Sequence, residues 1–307
     1  MSQYPHVEWF ARETGIPASN LIRGFELERD FHATILAEPD ANRRQQLYAQ
    51  IYSQVHPLYR VSRDVEQRIR SKQLNVKRFQ EALRGKSILD VGWGDGAFLQ
   101  AVDRELPHGQ LLGIDVDIGS AIPSPIIEYR STSVVEFHLE VEFDVVFSDN
   151  VTEHIAPADL PVHLASIHRA LKPGGTFILI MPHRFFGPSD VTRIIDNTYS
   201  NRVPAMGSHL NESTYREMRA ALQRSGFVNL RPHRLVKVLG RRTNLAAYCW
   251  AEQNAWLLNL LRRVRPRFAY TLVLIAQKEP RTGSCKNPVG TFLFCMWQSG
   301  GRKACQS

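Results

Sequence analysis

Three glycines crowded behind an apolar run are the first residues of this chain with chemical meaning. In ILDVGWGDGAFL (88–99), Asp90 sits within a strand-like run, Gly92, Gly94 and Gly96 follow at alternate positions, and an amphipathic helical pattern begins directly after them. Residues without a side chain let backbone approach a bound molecule closely, and a helix start favours negative charge. Asp115 ends the next apolar run, LLGID, 19 residues beyond Gly96, where a carboxylate can accept hydrogen bonds from both hydroxyls of a ribose. A nucleoside-containing cofactor is therefore expected. Gly92, Gly94 and Ala97 also satisfy the dinucleotide pattern G-x-G-x-x-G/A, so an NAD(P)-dependent oxidoreductase stays open at this point.

The elements that must position these residues follow from the hydrophobic period. Up to residue 84 the chain is polar with helix-like spacing, as at Leu47, Ile51 and Val55, and Pro57 is expected to separate two helices. Residues 1–84 are read as a helical N-terminal extension, a lid or a scaffold. From residue 87, short apolar runs alternate with helical patterns: SILDV, LLGI, IIEY, FDVVF, TFILI, a run near 227–236 and AYTLVLIA. Between them, Asp159 is expected to cap a helix that Gly174 and Gly175 end, and Thr214 with Glu217 forms a capping box. Seven strands alternating with helices imply an α/β, doubly wound sheet over residues 85–280, with ligands beyond the strand C-termini. Residues 281–307 read as a flexible tail.

In order, ILDVGWGDG, GIDVD, FDVVFSDNVTEHI and HRALKPGGTFILIMP resemble a class I S-adenosylmethionine-dependent methyltransferase, closely over about residues 85–180. Within that family the chain is most similar to the small-molecule group that includes ubiquinone-pathway and glycan-modifying enzymes. The resemblance implies a Rossmann-like seven-stranded sheet, mostly parallel with the last strand antiparallel, and S-adenosyl-L-methionine as cofactor. It places Asp90 and Gly92 near the methionine amino group, Gly94 and Gly96 beneath the cofactor, and Asp115 on the ribose. Ser148, Asp149 and Asn150 would border the methionine moiety and the acceptor cleft. Two departures stand out: Trp93 replaces a usual small residue, and after the third strand, where relatives often place an acid against adenine, the chain reads Arg130, Ser131, Thr132, Ser133. Thr132 is taken as the hydroxyl for that role, and a non-catalytic cofactor-sensing or scaffolding protein remains an alternative.

Methyl transfer from a sulfonium chiefly requires alignment and water exclusion, and an alcohol acceptor adds the need for a base. His154 and His183 are the candidate bases, since an imidazole is largely neutral near pH 7. Glu153 and His154 are adjacent but lack further ligands at defined spacing, so no metal is expected. Residues 183–212 and 241–267 are candidate substrate lids, with His209 and Tyr199 as possible acceptor contacts. SDNV is not the N/D-P-P-Y motif of amide or adenine methylation and no Pro-Cys dipeptide is present, so nucleic acid is not the expected partner. O-methylation of a small molecule or glycan is the leading reading.

Composition is near the globular average: 43% hydrophobic and 22% charged residues exclude a globally disordered chain. The net charge of +8 is concentrated in residues 231–267, where nine Lys or Arg face only Glu252, so an anionic ligand or membrane surface there is a candidate partner. Four cysteines without C-x-x-C spacing suggest neither zinc nor disulfides. MSQYPHVEWF lacks a basic-then-apolar signal, and a cytoplasmic location, with peripheral membrane contact at most, is expected.

Overall fold

A computed structural model describes residues 3–59, 64–116, 121–233, 245–254, 257, 260 and 271–281. Four helices come first: α1 (Val7–Thr14), α2 (Ala18–Ala37), α3 (Ala41–Tyr59) and α4 (Val65–Leu83). The alternating region follows as β1 (Ile88–Val91), α5 (Ala97–Glu105), β2 (Leu111–Asp115), β3 (Ile127–Ser131), β4 (Phe143–Asp149), α6 (Leu160–Ala170) and β5 (Leu171–Pro182). It closes with α7 (Tyr215–Arg224), β6 (Phe227–Pro232), α8 (Leu245–Ala251) and β7 (Thr271–Lys278).

The strands form one sheet in the order β3-β2-β1-β4-β5-β7-β6. All pairings are parallel except those of β7, which runs antiparallel to β5 and β6. This is the expected Rossmann-like sheet. Side chains alternate between its faces, as the pleat requires. Leu89, Val146 and Phe177 pack with α6, α7 and α8 on one side. Ile88, Phe147 and Ile178 pack with α4 and α5 on the other. Strand order reverses between β1 and β4, which opens the crevice for ligands beyond their C-termini.

Several local expectations change. Pro57 lies inside α3, which continues to Tyr59, so the helix break follows the proline rather than coinciding with it. Asp159 makes no side-chain cap bond; its carboxylate is taken by Arg44 and Tyr48. The sixth helix ends at Ala170, before Gly174 and Gly175, and the extended backbone of β5 already begins at Leu171. Within residues 1–84, α4 shares the core of the sheet, burying Ile69, Val76, Phe79 and Leu83 with Phe98 and Val102. Helices α1–α3 instead pack on Val135, Ile155, Val191 and Ile194.

Of segment 241–267, the described part contains α8, while Arg234, Lys237, Arg241, Arg242, Arg262, Arg263, Arg265 and Arg267 lie outside the described residues, as do Asp117 and residues 282–307. No helix among the described residues is long and apolar enough to cross a membrane.

Candidate active site

The turn after β1 follows from its glycines. Gly92, Gly94 and Gly96 have φ of +75°, +60° and +79°, values that residues with a Cβ adopt at a cost. The Gly92 N–H donates to the Ile114 carbonyl (2.8 Å), and the Gly94 N–H donates to Asp115 Oδ2 (3.0 Å), so the loop is tied to the end of β2. Asp115 Oδ1 accepts from Val116 N–H (2.7 Å), and its carbonyl accepts from Thr132 N–H (2.8 Å). Among the described residues, a Cβ placed on Gly94 would meet nothing within 4 Å. Backbone without a side chain thus lies beside the Asp115 carboxylate at the ends of β1 and β2, a donor set that fits an adenosyl cofactor.

Trp93 packs beneath this loop. Its indole is 4% exposed and lies against Tyr129, with ring centroids 4.6 Å apart, and a Cβ on Gly113 would come within 2.8 Å of it. The large residue is accommodated because β2 carries a glycine below it.

On the β4 side, Asp149 Oδ2 accepts from Lys72 Nζ (2.9 Å) and Asn75 Nδ2 (3.2 Å), both on α4. Asn150 takes a left-handed φ of 59° and donates to Asp149 Oδ1 (3.1 Å). Burial pushes the Asp90 carboxyl well above the usual range; Lys72 opposes this, and Asp149 and Asp115 add to it. Ser148 is fully buried, beneath the crevice surface rather than on it. The α4 groups Lys72 and Asn75 were not anticipated, because nothing in a polar helix announces which carboxylate it will meet.

The two candidate bases part company. His183 is 4% exposed; its Nδ1 accepts from Phe185 N–H (3.3 Å) and its Nε2 donates to Glu252 Oε1 (2.8 Å). Glu252 also accepts the N–H groups of Tyr215 and Arg216 at the start of α7. Both ring nitrogens of His183 are therefore committed to holding the segment after β5 to α7 and α8.

His154, in the single turn Thr152–His154 after β4, borders a cavity of about 310 Å³ between α1–α3 and residues 189–210. Phe10, Phe31, Ile35, Ile51 and Val55 give it an apolar wall, and Glu28, Tyr52, Asp190 and His209 contribute the polar groups used below. The Glu153 carbonyl accepts the N–H groups of Leu210 (2.7 Å) and Asn211 (2.9 Å), which fastens the 183–212 segment to the β4 turn. His209 is thereby brought against His154, ring centroids 4.8 Å apart.

His154 Nδ1 donates to the Ser208 carbonyl (3.1 Å), leaving its lone pair on Nε2. Burial, with the adjacent His209, lowers its pKa to about 3, so it is neutral at physiological pH. For His209, burial opposes the charge, yet the Glu212 hydrogen bond (2.8 Å) and the fields of Asp190 and Glu153 outweigh it and raise the pKa to about 9. Burial raises Glu153 to about 8. Burial likewise raises the Tyr52 phenol well above its usual value, and Asp115 and Glu153 both add to the shift. Tyr52, which borders the cavity, thus feels the charges of both Asp115 and Glu153.

Comparison with known proteins now has a geometry to rest on. A family profile described as a methyltransferase domain matches residues 65–231, more than half of the chain. A ubiquinone biosynthesis O-methyltransferase of Brucella anthropi is 29% identical over 181 residues, covering 55% of this chain and 68% of that protein. A protein of the same description from Nitrobacter winogradskyi is 29% identical over 101 residues, 30% of this chain and 37% of its own length. Among solved structures, Haemonchus contortus phosphoethanolamine N-methyltransferase 2 in complex with S-adenosyl-L-methionine matches at TM-score 0.45 and 17% identity, covering 69% of this chain and 53% of that one. A methyltransferase of Archaeoglobus fulgidus gives TM-score 0.45 and 16% identity, over 68% of this chain and 94% of that one. The nicotinamide alternative gives way to the family match. The chain belongs to the methyltransferase-domain family and is an S-adenosylmethionine-dependent enzyme.

Proposed function

We propose that the enzyme methylates an oxygen of a small, largely apolar molecule held in the cavity between α1–α3 and the 183–212 segment. The observation that carries this reading is His154, at the C-terminal end of β4, presenting Nε2 beside a mainly apolar cavity. The curated relatives described as ubiquinone biosynthesis O-methyltransferases support an oxygen acceptor. The apolar wall suits an aromatic or aliphatic body better than a glycan.

Bound S-adenosylmethionine supplies an electrophilic methyl group on a sulfonium. The residues assigned to it are Asp90, Gly92, Gly94, Gly96, Asp115, Thr132, Asp149 and Asn150, with Lys72 added by the fold and Ser148 supporting from below. Asp115 holds the ribose, and the bare Gly94 backbone admits the nucleoside. Asp90, already surrounded by carboxylates, gains a reason to ionise when a cationic group stands next to it. His154 is the side chain assigned to the acceptor hydroxyl. Helices α1–α3 exclude water from that meeting point, which an in-line displacement needs. His183 is assigned a structural part.

The test is transfer of isotopically labelled methyl from S-adenosylmethionine to a panel of phenols, apolar alcohols, amines and sugars. Product formation on the hydroxylated apolar compounds, reduced at least tenfold by His154→Ala while S-adenosylhomocysteine still binds, is expected. Transfer confined to amines or sugars overturns the acceptor assignment. Cofactor binding without transfer to any member favours the non-catalytic reading.

A further inference from the structure

The fold brings His209 to the adjacent pair Glu153 and His154, a third group that no local spacing announces. One ligand atom each from Glu153, His154 and His209 lies within 4.8 Å of the others. The geometry points to a divalent transition-metal site made by Glu153, His154 and His209, with an open coordination position for an oxygen of the acceptor.

Three independent features of the cluster support it. Each imidazole is oriented by its outer nitrogen: His154 Nδ1 donates to the Ser208 carbonyl and His209 Nδ1 to Glu212 Oε1. These contacts occupy Nδ1 of each ring and leave Nε2 for the cluster, a carboxylate or carbonyl behind the ring being the usual support of a metal-bound histidine. The protons that His209 and Glu153 hold at neutral pH are the ones a bound cation displaces. Secondly, Glu153 is fully buried, and neither of its carboxylate oxygens has a hydrogen-bond partner among the described residues. Its backbone carbonyl is used by Leu210 and Asn211, whereas no other residue among those described donates to its side chain. Buried polar atoms without partners are rare enough to require a reason, and a cation is one. No described ion pair joins Glu153 to His209, whose partner is Glu212.

Thirdly, the surroundings carry an excess of acid. Glu28, Asp190 and Glu212 are also buried near His209. Glu28 Oε2 accepts from Ser208 N–H (2.7 Å) and Asp190 Oδ2 from Gly207 N–H (2.8 Å), so both hold the backbone that carries His209. Asp190 and Glu212, which favour the charged form of His209, favour a cation in the cluster in the same way without being among its three ligands.

Two imidazole nitrogens and one carboxylate oxygen suit Zn²⁺, Mn²⁺, Fe²⁺ or Co²⁺ rather than Mg²⁺ or Ca²⁺, which prefer oxygen throughout. Three protein ligands leave a position open, as in catalytic rather than structural sites. His154 and His209 border the cavity, so that position opens towards it. This deepens the proposed O-methylation and rests on it for the occupant of the open position, whereas metal binding itself does not. Coordination of a hydroxyl favours its deprotonated form, the proton passing to buffer as it does when ligands bind a metal. The cation then stands between His154 and the acceptor oxygen.

The experiment uses the full chain, dialysed against EDTA and then titrated calorimetrically with Zn²⁺ and Mn²⁺, with Mg²⁺ as the oxygen-preferring comparison. Binding of one equivalent of Zn²⁺ or Mn²⁺ per chain is expected, weakened at least tenfold in Glu153→Gln and in His209→Ala. S-adenosylhomocysteine raising the melting midpoint of both variants shows that they remain folded. Should either variant fail to fold, Co²⁺ titrated into the wild type provides a second measurement: a visible absorption band of a low-coordinate nitrogen–oxygen site supports the assignment, and its absence overturns it. No stoichiometric uptake of Zn²⁺ or Mn²⁺, or uptake unchanged in both variants, also overturns it. These readouts need neither acceptor nor turnover, so their failure leaves the methyl-transfer reading standing. Undiminished turnover in the presence of EDTA overturns ligation of the acceptor.

Discussion

Arg44 of α3 and Asp159 at the start of α6 form a two-pronged ion pair: Nε donates to Oδ2 at 2.9 Å and Nη2 to Oδ1, with side chains only 7% and 2% exposed. Tyr48 completes the unit, donating to Asp159 Oδ2 (3.1 Å) while accepting from Ala156 N–H (2.7 Å). The N-terminal helices are thus locked to the loop that leaves the candidate site, and α3 is held where it walls the cavity.

Removing one member of this pair strands a buried charge. Arg44→Met is expected to destabilise the protein by about 3–5 kcal/mol, and the double variant Arg44→Met with Asp159→Leu by clearly less. Guanidinium unfolding measures both. A cost under about 1 kcal/mol for the single change shows that the pair behaves like an exposed one.

Asp115→Ala removes the acceptor of the Gly94 and Val116 N–H groups together with the group assigned to the ribose. Affinity for S-adenosylhomocysteine should fall roughly 10- to 100-fold, the range for losing hydrogen bonds to a charged acceptor. A melting-midpoint titration reads this, and unchanged affinity refutes the ribose assignment.

Gly92 and Gly94 share a left-handed φ but differ in their neighbours. A Cβ on Gly92 would overlap Val151 Cγ2, whereas one on Gly94 meets no atom within 4 Å among the described residues. Gly92→Ala should therefore cost about 2 kcal/mol or more, from backbone strain and overlap together. Gly94→Ala should cost about 1 kcal/mol yet weaken cofactor binding strongly, because the new methyl group enters the space assigned to the nucleoside. Equal losses of stability, or normal binding by Gly94→Ala, contradict this division.

His163 on α6 is fully buried; its Nδ1 donates to the Val134 carbonyl (2.7 Å), and burial lowers its pKa to about 4. The unfolded chain, with an ordinary imidazole near 6.5, takes up this proton first as pH falls. Its stability contribution is thus full above about pH 6.5 and declines between there and about pH 4, by on the order of 3 kcal/mol. His163→Asn keeps a donor for Val134 and should flatten that part of the stability-against-pH curve. A slope unchanged from wild type would show that other groups govern it.

Much of the scaffold was legible because its causes are local. Alternation at Ile88 and Leu89, or at Val145, Val146 and Phe147, states which face each residue takes. Gly92, Gly94 and Gly96 mark a turn that other residues resist, and Thr214 with Glu217 caps α7 through bonds spanning three residues. Elsewhere local rules misled: Asp159 has the residue type of a cap, but a buried guanidinium 115 positions away offers a stronger, charge-assisted partner.

By itself the amino-acid sequence determined the order of strands and helices, the glycine turn and the acid that follows it, because each depends on residues within a few positions of one another. Only the tertiary structure decided what surrounds the cavity beyond β4. His183 and His154 look equivalent in the chain, yet packing commits both nitrogens of the first to Phe185 and Glu252 and leaves Nε2 of the second at the cavity. His209 reaches His154 because Leu210 and Asn211 bond to the Glu153 carbonyl, and Glu28 reaches Ser208 across 180 positions. Such contacts depend on how α1–α3 and the 183–212 segment close over the end of β4, a property of packed surfaces that no local spacing encodes.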